Sequence, residues 1–285
     1  MLRARNWLLA GAGLTLTILA LSGVAAKQAA APPAAPAVAP VAAPMDGKAR
    51  MAFSGYLPVG TAPDSNLLIP PPPAPGSAAM ARDDEAMRAA LALRGTPRWA
   101  LATSDALLFT PTATATFSCA AGFRIAADTT PKLNALLRKA GPDMAMAVYP
   151  SKRKYMRARP FMSNNQPTCT PQDEAMLRND GSYPSGHSAI GYGWGLILAE
   201  LVPGRAGQLV ARGRAFGESR RICNVHWLSD VEEGRVVATA VFARLHAEAQ
   251  FRADMEEARR EVQIEMLKKS QAPDCASENA ALANG

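Results

Sequence analysis

At 285 residues the chain has room for one sizeable hydrophobic core. Its 31 Lys and Arg against 24 Asp and Glu leave a net charge of +7, and aromatic residues make up only 6%. A basic excess that small, without interleaved aromatics, argues against a nucleic-acid surface and fits small anionic ligands instead.

The first 26 residues set Arg3 and Arg5 ahead of an apolar run, Trp7 to Ala20, and end on the small residues Val24-Ala25-Ala26. That order predicts a secretory signal peptide cleaved after Ala26. Val24 stands where a lipoprotein signal would need cysteine. An uncleaved anchor is the alternative, because Trp7 to Ala26 approaches the length of a membrane span. Cleavage would leave 29 basic residues against 24 acidic ones, a net charge of +5. Residues 27–50, almost all Ala and Pro as far as Pro44, read as an extended tether. One folded domain is expected over 51–248, then an amphipathic helix over 249–269 and a disordered tail over 270–285.

Within the domain, Pro70 to Pro75 predicts a stiff polyproline-like loop, and Arg82 to Arg94 a helix stopped by Gly95 and Pro97. Asp83, Asp84 and Glu85 near its start complement the helix dipole and are not read as metal ligands. Thr130-Pro131 opens a second helix, expected to run to about Ala140. His187 to Val202 is apolar nearly all round and stops at Pro203-Gly204, which predicts a buried central helix. Its His187, Ser188 and Glu200 make it a poor bilayer span. Val231 to Leu245 predicts a helix continuing from His226, with Val231, Val236, Val237, Val241 and Phe242 toward the core. Beyond it, Phe251, Met255, Ala258, Val262 and Met266 recur at helical spacing. That helix packs on its own domain or on a second subunit, leaving a homo-oligomer open, while Glu256, Glu257, Glu261 and Glu265 would be repelled by anionic lipid. Alternating strand patterns are scarce, so an all-α helical bundle is expected.

Three clusters carry chemistry. In Gly181-Ser182-Tyr183-Pro184-Ser185-Gly186-His187-Ser188 a helix start offers free N–H groups and the positive end of its dipole. Gly186 admits an anion close to the backbone, Ser185 can donate to it, and His187 can exchange a proton. Upstream, Lys152 and Arg159 are seven residues apart, so a continuous helix would turn both to one side, and Pro160 favours an extended Arg159. Arg153, Lys154, Arg157 and Arg221 read as solvated surface charges. Downstream, Arg220 adds a third cation. His226 and Asp230, four apart in a segment that reads helical, would share a face, the carboxylate holding one ring nitrogen and freeing the other for attack. His246 reads as an exposed helix residue. No HExxH, CxxC or carboxylate cluster marks a metal site, and no Walker loop marks nucleotide-driven work. Cys119, Cys169, Cys223 and Cys275 allow three pairings in an exported chain, and pairing Cys169 with Cys223 would tie the approach to Gly181 to the His226 segment.

Lys152, six residues, then Arg159-Pro160; Pro184-Ser185-Gly186-His187; and Ser219-Arg220, five residues, His226, three residues, Asp230 together resemble a known signature. It is the tripartite pattern of bacterial acid phosphatases, phosphatidic acid phosphatase type 2 enzymes and vanadium haloperoxidases. Gly181 to Ser188 is similar to the class A bacterial non-specific acid phosphatases in particular, as are Ile69 to Pro73, Arg98-Trp99 and Pro171 to Met176. The likeness runs from about Tyr56 to Leu245. It implies the family's helical fold and a metal-independent acid phosphatase, without cofactor, acting on small phosphorylated substrates. His226 would become phosphohistidine, His187 would protonate the leaving group and Asp230 would orient His226. Lys152, Arg159, Ser185, Gly186 and Arg220 would hold the phosphate. The expected location is periplasmic or secreted, with no stable membrane association once the signal is cleaved. Two alternatives stand beside it. A vanadate-dependent haloperoxidase would oxidise bromide, and an exported phosphate-binding protein would need the cations but neither His226 nor Asp230.

Overall fold

A computed structural model describes residues 54–108, 110–268 and 273–283; the expected signal peptide and tether lie outside them. Among the described residues there is no strand, as the all-α expectation requires. The longer helices are α1 (Ala78–Leu91), α2 (Pro97–Asp105), α3 (Pro131–Ala147), α4 (Tyr149–Tyr155), α5 (Gly186–Leu201), α6 (Ala206–Ile222), α7 (Leu228–Leu245), α8 (Ala249–Leu267) and α9 (Ala276–Ala283).

Local chemistry sets most of their starts. Ser77 caps α1 by accepting from Met80 N, and Thr96 caps α2 ahead of Pro97 by accepting from Trp99 N. Pro131 opens α3 as expected, yet the helix continues through Pro142 to Ala147 rather than ending near Ala140. Its buried face, including Leu133, Leu136, Leu137, Ala140, Met144 and Ala147, packs on α5 and α8. That burial outweighs the roughly 3 kcal/mol by which an interior proline disfavours a helix.

The apolar helix α5 lies at the centre and packs against α6, α7 and α3. Its contact with α6 is backbone on backbone. A Cβ on Gly195 would come 2.9 Å from Leu209 O, and one on Gly213 would come 2.9 Å from Gly191 O. Apolar periodicity does not reveal α6, because its buried face is built from Leu209, Arg212, Gly213, Phe216, Gly217, Ser219 and Arg220. In α7, Val231, Val237 and Val241 are buried as expected, but Val236 is 45% exposed and turns to solvent. Phe251, Met255, Ala258 and Val262 of α8 are buried against the chain's own core, whereas Met266, expected on the same face, is 54% exposed.

The segment expected to be a disordered tail contains a helix. Helix α9 packs on α2, is tied by the Cys119–Cys275 disulfide, and sets Glu278 2.9 Å from Arg212 Nε. A covalent tie and an ion pair leave no periodic trace in an Ala-rich sequence. The second disulfide is Cys169–Cys223.

Candidate active site

Lys152 lies in α4, which ends where Met156 takes a left-handed conformation (φ 40°). The basic run is therefore not one helix. Arg159 sits extended (φ −82°, ψ 154°) before the short Pro160–Asn164 helix, as Pro160 demands. The two cations nevertheless converge through the loop: Lys152 Nζ and Arg159 Nη2 reach Asp180 Oδ2 at 2.9 and 2.8 Å. Both bases are buried. Burial, then the neighbouring Arg159, draws the Lys152 ammonium down to about 8.

The serine and glycine are placed by α7. Ser185 N donates to Asp230 O (2.9 Å), and a Cβ on Gly234 would lie 2.5 Å from Ser185 O, so the turn before α5 is pressed onto the first turns of α7. Ser185 Oγ accepts from Ser188 N at 3.2 Å as the N-cap of α5, which leaves its hydrogen free to donate. Gly186 is the first residue of that helix.

His226 is not part of a helix. It precedes α7, whose N-cap is Trp227, and Asp230 is the third residue inside. Its carboxylate does two jobs: Oδ2 accepts from Trp227 N (2.9 Å) and contacts His226 Nδ1 (3.2 Å). Nδ1–H donating to a carboxylate leaves Nε2 as the ring's lone pair, and Nε2 lies 3.1 Å from Arg159 Nη1. Burial, reinforced by Arg159 and Lys152, holds the His226 imidazole well below its ordinary value and so neutral. His187 Nε2 lies 3.1 Å from Ala106 O, and burial followed by Arg220 pushes this ring down as well.

Arg220, in the last turn of α6, is buried, and its Nε and Nη1 have no hydrogen-bond partner among the described residues. Burial, then Arg159, pulls its guanidinium down to about 10. An unsatisfied buried guanidinium beside neutral imidazoles is a strong anion acceptor.

Arg157, expected as a solvated surface charge, and Asp83, expected only to complement a helix dipole, both belong to this site. Arg157 donates from Nη1 to Asp230 Oδ1 and from Nη2 to Asp83 Oδ2, each at 2.7 Å, and to Ser229 Oγ at 2.8 Å. Asp83, buried in α1, also accepts from Ser229 N (2.8 Å) and Ser229 Oγ (2.6 Å). The chain Asp83–Arg157–Asp230–His226 thus reaches the imidazole from a helix 143 positions away in sequence. Burial raises the Asp230 carboxyl despite Arg157. Asp180 was also missed; its place one residue before Gly181 was the available signal. Arg153 and Lys154 are exposed as expected, while Arg221 is partly buried and paired with Glu218. His246 is also partly buried, lying against Phe242 and Phe251 beside Glu200. A cavity of about 580 Å³ lined by Arg205, Arg212, Arg214 and Glu278 opens on another face of α6 and is lined by none of Lys152, Arg159, His187, Arg220, His226 and Asp230.

Residues 139–253 match the PAP2 superfamily. The chain is similar to an acid phosphatase of Zymomonas mobilis, 42% identical over 200 residues that cover 70% of this chain and 76% of that protein. It is also similar to the non-specific acid phosphatase of Salmonella typhi, 39% identical over 217 residues (74% of this chain, 86% of that protein). A third relative is the non-specific acid phosphatase of Providencia stuartii, 38% identical over 207 residues (72% and 84%).

Proposed function

Since the chain belongs to the PAP2 superfamily and is an acid phosphatase, we propose that it hydrolyses phosphomonoesters without a metal, through a phosphohistidine on His226. The observation that carries this reading is the placement of His226: its Nδ1 meets Asp230 and its Nε2 is turned toward Arg159, in a buried setting that disfavours the charged ring. The phosphoryl oxygens bind Lys152, Arg159 and Arg220, the Ser185 hydroxyl and the free N–H groups at the start of α5. Charge growing on those oxygens meets donors already in place. His226 Nε2 attacks phosphorus in line, the bond to the ester oxygen breaks, and His187 protonates the departing alkoxide. With Nε2–H donated to Ala106 O, Nδ1 is the His187 nitrogen that transfers the proton. Water then attacks the phosphohistidine, giving its proton to His187, and phosphate leaves. An alcohol in place of water gives phosphotransfer.

A neutral His187 must be charged to act as acid. The bound phosphoryl group supplies the compensation, since negative charge beside the ring favours its protonated form. Among the described residues no group of three or more His, Cys, Asp or Glu is gathered to hold a metal ion, so activity should survive a chelator. Two disulfides suit an oxidising compartment, and no described helix is long and apolar enough to cross a membrane. The disulfides and the signal-like order of residues 1–26 support a periplasmic or secreted location.

The leaving group gives the test. His187→Ala should depress hydrolysis of alkyl phosphates far more than that of nitrophenyl phosphate, whose leaving group scarcely needs a proton. Equal losses on both substrates would reject His187 as the acid.

A further inference from the structure

We infer that Asp180 is a resident competitor for the phosphate site: its carboxylate occupies cation donors that the substrate phosphoryl group needs, and it gives them up on binding. The inference rests on the function proposed above and adds a residue to it.

Donor counting carries the argument. A guanidinium has five N–H groups in a fixed fork. Those of Arg159 are committed: Nε to Leu177 O (3.0 Å) and Asp180 O (3.1 Å), Nη1 to Val225 O (3.0 Å) and toward His226 Nε2, Nη2 to Asp180 Oδ2 (2.8 Å) and weakly to Gly181 O (3.5 Å). Lys152, with three donors, spends one on Asp180 Oδ2 and one on Gly181 O. Arg220 differs, with two nitrogens lacking a partner. A phosphoryl group can therefore meet Arg220 directly, but it engages Arg159 only by taking a donor from a present partner.

Among those partners two can yield: His226 Nε2, whose lone pair turns from Arg159 Nη1 to phosphorus in the proposed reaction, and Asp180 Oδ2, which holds Lys152 and Arg159 together. Leu177 O, Val225 O and Gly181 O are backbone carbonyls fixed by the fold. Asp180 Oδ2 belongs to a side chain on the loop before Gly181, and it is 30% exposed where the Arg159 and Lys152 side chains are 1% and 5% exposed. The carboxylate is thus more exposed than either cation it holds. It is also an anion that would face an anion of equal or greater charge. Displacement costs the bound state its two ion pairs, so Asp180 weakens affinity for phosphate, the product included, and favours its release.

The opposite role, in which Asp180 only holds the cations in position, makes the opposite prediction for binding. Titration calorimetry of inorganic phosphate with the wild type, Asp180→Asn and Asp180→Ala separates the two. Removing one negative charge within a few ångströms of the phosphate should tighten phosphate about tenfold in Asp180→Ala, and by less in Asp180→Asn, which keeps an acceptor. Product inhibition by phosphate should strengthen in step. Unchanged or weaker binding in the variants would overturn the inference. Asp180→Asn keeps the size of the side chain and carries the test if Asp180→Ala does not fold. Because inorganic phosphate carries no ester bond to break, the titration reads binding without turnover, and its outcome does not depend on whether His226 is phosphorylated.

Discussion

Replacing Arg157 by Ala removes the one cation shared by Asp230 and Asp83. Its side chain is 10% exposed, and those of its partners are 2% and 0% exposed, so water does not take its place. Breaking a buried ion pair by deleting one partner costs about 3–5 kcal/mol, because a buried charge is left uncompensated. Here two carboxylates are left, and partial protonation of Asp230, already raised by burial, relieves some of that cost. At about 2–4 °C per kcal/mol for a domain of this size, the melting temperature should fall by about 6–20 °C. A protonated Asp230 holds Nδ1–H of His226 poorly, so kcat should drop by about 10- to 100-fold while KM changes little, as for loss of orientation rather than of binding. Arg157→Lys should recover part of both losses, since a single ammonium cannot span two carboxylates as the guanidinium fork does. Thermal unfolding by circular dichroism and initial rates on nitrophenyl phosphate read the two effects. An Arg157→Ala protein with wild-type melting and wild-type kcat would show that the pair is a surface ornament, as the sequence alone suggested.

Two further outcomes follow from the same packing. His187 and His226 titrate well below their unfolded value of ~6.5, so the unfolded chain takes up protons first as pH falls; the stability linked to these two rings should be full above about pH 6.5 and decline below it. Saturating phosphate should flatten that decline, and so should His226→Asn; identical pH slopes of melting temperature in wild type and variant would count against it. Gly234→Ala puts a methyl 2.5 Å from Ser185 O, and the backbone must shift, costing about 1–3 kcal/mol and moving Ser185 and His187. Its activity loss should exceed its loss of melting temperature, and a fully active variant would deny that Gly234 sets the position of the α5 start.

What could be read ahead of the structure divides along physical lines. The proposed site could be named ahead of the structure because Lys152, Arg159, Ser185, Arg220, His226 and Asp230 stand in short local segments that resemble the tripartite phosphatase pattern. Helices α5 and α7 were legible because their buried faces are apolar. Helix α6 was not, since glycines and arginines line its contacts, and neither was α9, whose order depends on Cys119 and Arg212 far away in sequence. Arg157 looked solvated, and Asp83 looked like a helix-dipole acid, because the partner of each is brought in only by tertiary packing. A continuous helix was only one way for Lys152 and Arg159 to share a side; the helix ends at Met156, where the backbone turns left-handed, and the loop delivers both cations to one carboxylate.

The proposed mechanism depends most on His226 as the nucleophile. Rapid mixing of the enzyme with a substrate radiolabelled at phosphorus, followed by a quench that avoids acid, should trap label on the His226 ring. The His226→Ala protein should fold, bind phosphate, carry no label and turn over no substrate. Label on Ser185, or substantial activity in His226→Ala, would contradict the assignment.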